Sequence, residues 1–588
     1  MEYHDYDVSD AIVNFLVSQE VSHVFCVSGG SVHNILAKIE MCNEIQLIPC
    51  YHEQGACFAA EGYARATNKP GVIVVTSGPG LTNIITGINS AWVDGIPLFI
   101  FAGQVVESQR LIHSLPLLRQ RGVQESDTNS LVSSITKKST TLLDSSRIQD
   151  ECNELWAIAL DNRKGPVVLE IPVDKSYQVH EIVNEKNLPI KKTVQPTESL
   201  DVLLQKLNKS FSPFIILGNG IRSVDRFKMK KLLTNLQISS IPYASTWGSK
   251  DILEDSLPSP LYLGSPGIFG NRVANAALVL SDCVIVIGCS FNYAHTGYRV
   301  HNLPLENYHI IDIDIAQLSK PEVSKANCYH IHAEEAITIL LNHSYKAQVH
   351  KYGKFVKLKE TIKKEEELFD LQSTPVSLIK CINERLSGKG SNKFIIVTDM
   401  GTSFTATHHY LKCNGARLFT ASGHAPMGWG LPGAIGACLA TNNKKRVICM
   451  TGDGGLLMNI QELMHLSFYR LNILVVLLNN NGYATIAKTT QRYHGKAIAA
   501  SKENGIVNPD FKSLCQSYQL PYLKLSAISD IIQFMDSDGP LFVELNYSAD
   551  DFIGPRLMAS SIAQPEHLHM HPLLANINLA DEFNSFLK

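Results

Sequence analysis

Short, unbroken apolar runs recur along this chain, separated by longer stretches whose apolar residues fall at helical spacing. From Val8 to about Val179 the runs are Val24-Phe25-Cys26-Val27, Ile45 to Tyr51, Leu98 to Ala102 and Gly165 to Pro172. Apolar runs of this length, bounded by Gly or Pro, read as strands buried on both faces of a parallel sheet, with the intervening segments as crossover helices. Gly29-Gly30 makes the turn after the first run, with a helix from Ser31. His52-Glu53-Gln54-Gly55 opens an Ala-rich helix that continues through Arg65, so Glu53 stands where a strand gives way to a helix.

The same pattern returns twice. A polar segment with two Pro, EIVNEKNLPIKKTVQPTESL, reads as a linker, and a second unit starts near Leu203. Its strand Pro213 to Leu217 leads into Gly218-Asn219-Gly220, and Cys283 to Ile287 leads into Gly288-Cys289. The charged stretch Lys351 to Glu367 reads as a solvated helix and linker, because its acidic half cancels its basic half. A third unit begins about Pro375, and its strand Phe394 to Thr398 ends in Asp399-Met400-Gly401-Thr402-Ser403. At 588 residues the chain is too long for one core. The expectation is an α/β protein of three domains, 1–182, 200–345 and 375–575, each a parallel sheet flanked by helices, with a partly ordered closing segment from Asp551 to Lys588.

Composition narrows the function classes. Apolar content of 45% with 18% charged residues suits a globular protein, and a net charge of −3 offers no electrostatic footprint for nucleic acid or an acidic membrane. Thirteen Cys without a CxxC pair point to reduced thiols used in packing. The acidic, polar start MEYHDYDVSD is unlike a signal peptide, and no apolar run reaches the roughly 18 residues of a membrane span. A cytoplasmic enzyme acting on small molecules is expected, without nucleic-acid or membrane partners.

The chemistry concentrates between Thr451 and Asn480, TGDGGLLMNIQELMHLSFYRLNILVVLLNN. A Gly-rich turn carrying one carboxylate is followed by a helical segment and an apolar strand ending in two Asn. Gly452, Gly454 and Gly455 would let the backbone turn tightly and aim N–H groups at phosphate oxygens, while Asp453 and Asn480 offer hard oxygen ligands to Mg²⁺. With Gly452-Asp453-Gly454 and Asn479-Asn480 in place, the stretch resembles the diphosphate-and-magnesium motif of thiamine-diphosphate (ThDP) enzymes.

A second segment, HEQGACFAAEGYARATNKPGVIVVTSGPGLTNIITGI from His52 to Ile88, resembles the pyrimidine-binding domain of acetolactate synthases. The resemblance implies that Glu53 touches N1′ of the cofactor's aminopyrimidine, a role needing a carboxyl group that can share a proton. Read alone, Glu53 is first of all a first-turn carboxylate favoured by the helix dipole, and the matching segment around it is what turns the reading to catalysis. Matching positions further imply cofactor contacts from Gly29, Gly30, Pro79 and Asn83 in the first domain and from Gly401, Thr402, Ser403, Ala425, Met427, Asp453, Asn480, Gly482 and Tyr483 in the third. Asp453, Asn480 and the carbonyl of Gly482 would hold the metal, and Met427 would wedge between the cofactor's rings or simply fill the core. Gln124 matches an acceptor-side residue, followed by Glu125 and later Lys137, whereas Arg119 and Arg121 read equally as solvated charge. His52, His113, His408, His409 and His424 receive no catalytic role, His424 being the first to test.

The central domain resembles one that binds FAD in several acetolactate synthases, through Thr246, Gly267, Gly270, Gly288 and Asp312. Ser290 and Asn292 replace two polar flavin contacts there, so bound FAD and a vestigial site stand as alternatives. Val123 stands where the family usually has Phe, and Thr489 stands near the place of an acceptor-selecting Trp, so the substrate pocket differs. The implied activity is ThDP- and Mg²⁺-dependent decarboxylation of pyruvate, or a similar 2-oxo acid, and transfer of the two-carbon unit to an acceptor carbonyl, as in acetolactate formation. The alternatives are a larger ketone acceptor such as a keto-sugar nucleotide, or a 2-oxo acid decarboxylase or lyase. A dead-site scaffold would have lost Glu53, Asp453 or Asn480, and all three remain. The family places the cofactor between the first domain of one chain and the third of another, implying a homodimer or homotetramer.

Overall fold

The computed structural model describes residues 6–111, 118–179, 199–254, 259–298, 300–343, 355–357, 359–360, 373–551, 553, 556–561 and 564–571. Most of the expected linker, most of the charged Lys351–Glu367 stretch, His113 and the last residues of the closing segment lie outside these. Between Asp551 and His571 the closing segment forms an antiparallel pair, Arg556–Ser561 against Gln564–His571.

Three parallel sheets carry the chain. The first contains β1 (His23–Cys26), β2 (Gln46–Pro49), β3 (Gly71–Val75), β4 (Leu98–Gln104), β5 (Lys138–Thr141) and β6 (Val167–Pro172), in the order β2-β1-β3-β4-β6-β5. The second contains β7 (Pro213–Leu217), β8 (Tyr243–Ser245), β9 (Cys283–Ile287), β10 (Tyr308–Asp312) and β11 (Asn327–His330), in the order β11-β10-β9-β7-β8. The third contains β12 (Phe394–Thr398), β13 (Arg417–Phe419), β14 (Arg446–Gly452), β15 (Ile473–Asn479), β16 (Tyr522–Lys524) and β17 (Leu541–Asn546), ordered β13-β12-β14-β15-β17-β16. Counted from its own first strand, the third sheet repeats the strand order of the first.

The apolar runs are continuous because helices cover both faces of each sheet. In the first sheet Phe25, Ile73, Val75 and Ile100 point into one core, while Val24, Cys26, Val72, Val74, Phe99 and Phe101 alternate into another. The first of these cores does not stop at the domain edge, since it continues through Val397, Val447, Cys449, Val475 and Leu477 of the third sheet. Two helices make the join, Glu53–Thr67 and Gly430–Leu439. Their backbones nearly touch: a Cβ at Gly62 would stand 2.1 Å from the Gly433 carbonyl oxygen, and one at Gly436 only 1.8 Å from that of Ala59. The Ala- and Gly-rich sequence of both helices is what permits this approach.

All thirteen cysteines are free thiols. Among the described residues no helix is long and apolar enough to cross a membrane.

Candidate active site

In an open parallel sheet, ligands bind beyond the carboxyl ends of the strands where the strand order reverses. In the first sheet that point lies between β1 and β3, and Gly29-Gly30 and Pro79 follow these strands, with Glu53 after neighbouring β2. In the third it lies between β12 and β14, which run into Gly401 and Asp453. In the second it lies between β9 and β7, which run into Gly288 and Gly218.

The third domain builds a compact oxygen-rich cluster. Gly452 pairs with Leu478 in the β14–β15 register, so Asp453 and Asn480 leave adjacent parallel strands side by side despite the long crossover between them. The Asp453 carboxylate, 1% exposed, accepts from the Gly482 N–H at 2.8 Å, Asn508 Nδ2 at 2.6 Å and Asn480 Nδ2 at 3.3 Å. Burial raises its pKa from the ordinary carboxylate value, the hydrogen bonds from Asn508 and the Gly482 backbone opposing that only in part. A divalent cation would remove this penalty, and the available donors, a carboxylate, an amide oxygen and the Gly482 carbonyl, are the hard oxygens Mg²⁺ takes. Asn479 has a different job: its amide donates to Glu544 Oε1 at 2.7 Å and accepts from the Asn481 N–H at 3.0 Å, fixing the strand end.

The glycines of this motif act otherwise than expected. Gly452 has an extended backbone (φ −87°, ψ 161°), and Gly454 and Gly455 lie inside the helix Asp453–Met458, so no tight turn requires them. They answer a lack of room. A Cβ at Gly454 would meet the Tyr483 ring at 2.0 Å, and one at Gly455 would meet Asp399 Oδ2 at 2.6 Å. Gly401 does need glycine for its backbone (φ 95°); it precedes the helix Thr402–Tyr410, whose start no side chain caps.

Asp399, 1% exposed, organises the floor of this half. It accepts from the Met400 N–H at 2.8 Å, the Gly428 N–H at 3.1 Å and Thr451 Oγ1 at 3.3 Å, and burial nevertheless lifts its pKa to about 6. Ser403 donates back to the Asp399 carbonyl at 2.8 Å and is buried, whereas Thr402 Oγ1 accepts from Tyr547 OH, which in turn accepts from Asn480 Nδ2, both at 2.9 Å. Met427 is half-buried, and Ala425 is exposed with a left-handed backbone (φ 58°).

The first domain is more open. Glu53 begins its helix, with His52 as the cap, and Asn83 Nδ2 donates to Glu53 Oε2 at 2.8 Å. Asn83 is carried by the helix Pro79–Asp94, so β2 and β3 jointly position this pair. The turns after β1 and β3 are tied by Ser31, whose Oγ accepts from the Ser77 N–H at 2.9 Å, and Gly29 makes room for Thr76. Gln124 has a left-handed backbone (φ 62°), and its carbonyl packs against Gly78 so closely that a Cβ there would stand 2.1 Å away. Buried Glu125 holds the loop, accepting from the N–H groups of Leu111, Arg121 and Gly122. Val123 is 83% exposed beside it. His424 lies against Asn89 Nδ2 at 3.0 Å, while His408 and His409 are buried and pushed down to about 3 and about 4 by desolvation, so neither holds a proton near neutral pH. Lys137 donates to the Asp161 carbonyl at 2.6 Å.

The central domain contributes two neighbouring cavities. One, of about 340 Å³, is lined by Thr246, Gly288 and Asp312 together with Arg65 and Asp94 of the first domain and Gly423 of the third. The other, of about 700 Å³, includes Lys137, Ser290, Asn292 and Lys320. Gly267 and Gly270 sit in a turn beside these walls, where Gly267 (φ 119°) packs on the Ala294 carbonyl.

Asp399 and Asn508 lie in stretches that resemble the family but carry no role from the sequence, and Tyr547 carries no motif signal of its own; each bonds directly to a residue of the Thr451–Asn480 stretch. Asn508 reaches Asp453 across 55 positions of sequence and Tyr547 reaches Asn480 across 67. Asp399 and Tyr547 directly follow the strands β12 and β17, a place the sequence signals, whereas Asn508 lies 29 positions beyond the last residue of β15.

Three doubly wound domains with polar residues gathered at their strand ends define a thiamine-diphosphate enzyme architecture. Family models agree, domain by domain: residues 6–131 match the thiamine pyrophosphate enzyme N-terminal TPP binding domain, 200–333 the central domain and 399–545 the C-terminal TPP binding domain. The chain is 32% identical over 571 residues to the acetolactate synthase large subunit of Lactococcus lactis, covering 94% of each. It is 28% identical over 560 residues to the acetolactate synthase isozyme 1 large subunit of Escherichia coli, covering 93% of this chain and 95% of that one. The chain therefore belongs to the thiamine pyrophosphate enzyme family, as an acetolactate synthase-like member.

Proposed function

We propose that this protein is a ThDP- and Mg²⁺-dependent carboligase that decarboxylates pyruvate, or a similar small 2-oxo acid, and joins the resulting two-carbon unit to an acceptor carbonyl, acetolactate being the product from two pyruvates. Its main support is the likeness to acetolactate synthases along 94% of the chain, with Glu53 and the Asp453 cluster both intact. Bound ThDP would supply an acidic ring carbon that adds to the donor's ketone and takes up the electrons left by CO₂.

The protein's residues divide the remaining work. Asp453, Asn480 and the Gly482 carbonyl would hold Mg²⁺, and the N–H groups opening the Thr402–Tyr410 and Asp453–Met458 helices would receive the diphosphate. Gly401, Thr402, Ser403, Gly452, Gly454 and Gly455 shape that cradle, with Tyr483 closing it over Gly454. Ala425 and Met427 would face the rings. Asn83 Nδ2 donates to Glu53 Oε2, which leaves Oε1 to carry the proton shared with the aminopyrimidine. Gly29, Gly30 and Pro79, at the ends of β1 and β3, would line the cofactor on that side, and Gln124 would meet the acceptor. Because Glu53 and Asp453 are proposed to serve cofactors in different subunits, a homodimer is the smallest active unit and a homotetramer a pair of such units.

A second acceptor class is favoured by one observation: the two positions where the family carries large acceptor-side residues are open, Val123 being 83% exposed beside Gln124 and Thr489 on the helix Ala484–His494 also exposed. Small side chains there leave space for a larger ketone such as a keto-sugar nucleotide. FAD, as a structural dinucleotide in the central cavities, is a further proposal supported by Asp312 at the end of β10, where burial raises its carboxyl and the Asp314 N–H holds it at 2.9 Å. Mass spectrometry of the products from pyruvate, with and without a panel of acceptor carbonyls, tests the whole reading. Acetolactate from pyruvate alone supports the primary version, turnover only with added ketone supports the second, and no CO₂ release under either condition overturns both.

A further inference from the structure

The loop that delivers Glu53 is held by a segment of the third domain. His465 Nε2 donates to the Pro49 carbonyl at 2.8 Å, and Glu462 Oε1 accepts from the Tyr51 N–H at 3.2 Å. His465 Nδ1 and Glu462 Oε2 pair at 3.1 Å, and the two side chains are 3% and 1% exposed. On the other side of Glu53, Asn459 Nδ2 donates to Gln54 Oε1 at 3.2 Å and to the Gly428 carbonyl at 3.0 Å. Gly55 is glycine because a Cβ there would stand 2.6 Å from Glu462 Oε1. Contacts at Pro49, Tyr51 and Gln54 thus bracket Glu53, all from the short stretch Asn459 to His465.

The pair is saturated internally. Sulfur, carboxylate and imidazole atoms of Cys50, Glu462 and His465 lie within 4.8 Å of one another, yet both imidazole nitrogens and both carboxylate oxygens already have protein partners, which makes the cluster a clasp rather than an ion cage. Burial by itself would lower the His465 pKa, and the hydrogen bond and charge of Glu462 outweigh it, so the imidazole is raised and favours the doubly donating form the clasp needs. A buried pair of this kind is weak evidence for stability and stronger evidence for fixing one geometry, because losing either partner strands the other.

We propose that Glu462 and His465, with Asn459, are positioning residues that set the Glu53 carboxyl for proton transfer; this rests on the role given to Glu53 above. The test compares Glu462→Ala, His465→Gln and Glu53→Gln in the full-length protein. Hydrogen–deuterium exchange of the cofactor-free protein should show the peptide spanning residues 49–56 exchanging about tenfold faster in Glu462→Ala. In the loaded enzyme kcat should fall between about tenfold and a hundredfold, while the magnesium-dependent ThDP Kd stays unchanged. His465→Gln, which keeps a donor for Pro49, should fall between Glu462→Ala and wild type. Wild-type exchange and wild-type kcat in Glu462→Ala, alongside an inactive Glu53→Gln, would overturn the clasp alone. A fully active Glu53→Gln would overturn the reading of Glu53 and the clasp with it.

Discussion

The first and third domains share one strand order and put their polar residues at the same place on the sheet, but they have made opposite environments there. Around Asp453 and Asp399 the carboxylates are about 1% exposed and each accepts several hydrogen bonds from backbone and amide groups. Around Glu53 the helix start is half-open, with Asn83 as its side-chain partner and Val123 and Gln124 exposed on the adjoining loop. A buried, over-determined cluster suits holding a charged group still, whereas a partly open carboxyl with one free oxygen suits moving a proton. On the proposed roles, the same scaffold would serve retention in one domain and reaction in the other.

Removing Asp453 should break the comparison most severely. Asp453→Ala is expected to weaken magnesium-dependent ThDP binding at least about a hundredfold, since even partners one shell out from a bound ion cost roughly tenfold to a hundredfold; isothermal titration with and without Mg²⁺ measures it. Glu53→Gln should leave that binding within a few-fold of wild type yet lower kcat by roughly 10²–10⁴. If the two variants failed in the same way, the division between holding and reacting would be lost.

The join between the domains gives the next effect. Gly436→Ala places a methyl 1.8 Å from the Ala59 carbonyl, and forcing the helices apart should cost about 1–3 kcal/mol, read as a lowered melting temperature. Asp399 provides a pH signature of similar size. Its folded pKa of about 6 lies above the ordinary 3.8, so the folded state holds the proton more tightly. Its contribution is fully present below about pH 3.8 and is lost as pH rises through about 6, a change of up to roughly 3 kcal/mol. Urea midpoints of the cofactor-free protein across that range should fall with rising pH, and the slope should flatten in Asp399→Asn. The smallest effect is local. Ala425→Gly relieves a left-handed alanine worth about 1 kcal/mol, partly offset by the freer unfolded chain, so stability should rise by less than that.

Much of this was legible in the chain. Continuous apolar runs announced buried parallel strands, and the Gly-Asp-Gly and Asn-Asn ends of β14 and β15 meet because the strands are adjacent and in register. What could not be read was anything joined across long sequence separation by residue types with many uses. Tyr547 looks like an ordinary polar residue until the fold brings it to Asn480, and Glu462 meets Tyr51 from 411 positions away. The motif glycines were legible as necessary, but their reason was misread: Gly454 and Gly455 admit Tyr483 and Asp399 rather than bend the chain. Spacing reports that a side chain is unwelcome, and only packing shows what occupies its place.

The proposed division of labour across subunits has one direct test. Glu53→Gln and Asp453→Ala should each show little turnover as pure proteins; unfolded and refolded together, they should form mixed dimers in which one site receives an intact Glu53 from one chain and an intact Asp453 from the other. Random pairing predicts recovery of roughly a quarter of wild-type pyruvate turnover per subunit pair, half of the dimers carrying one intact site out of two. Mixed dimers that form, as shown by native mass spectrometry, and yet recover no turnover would contradict it.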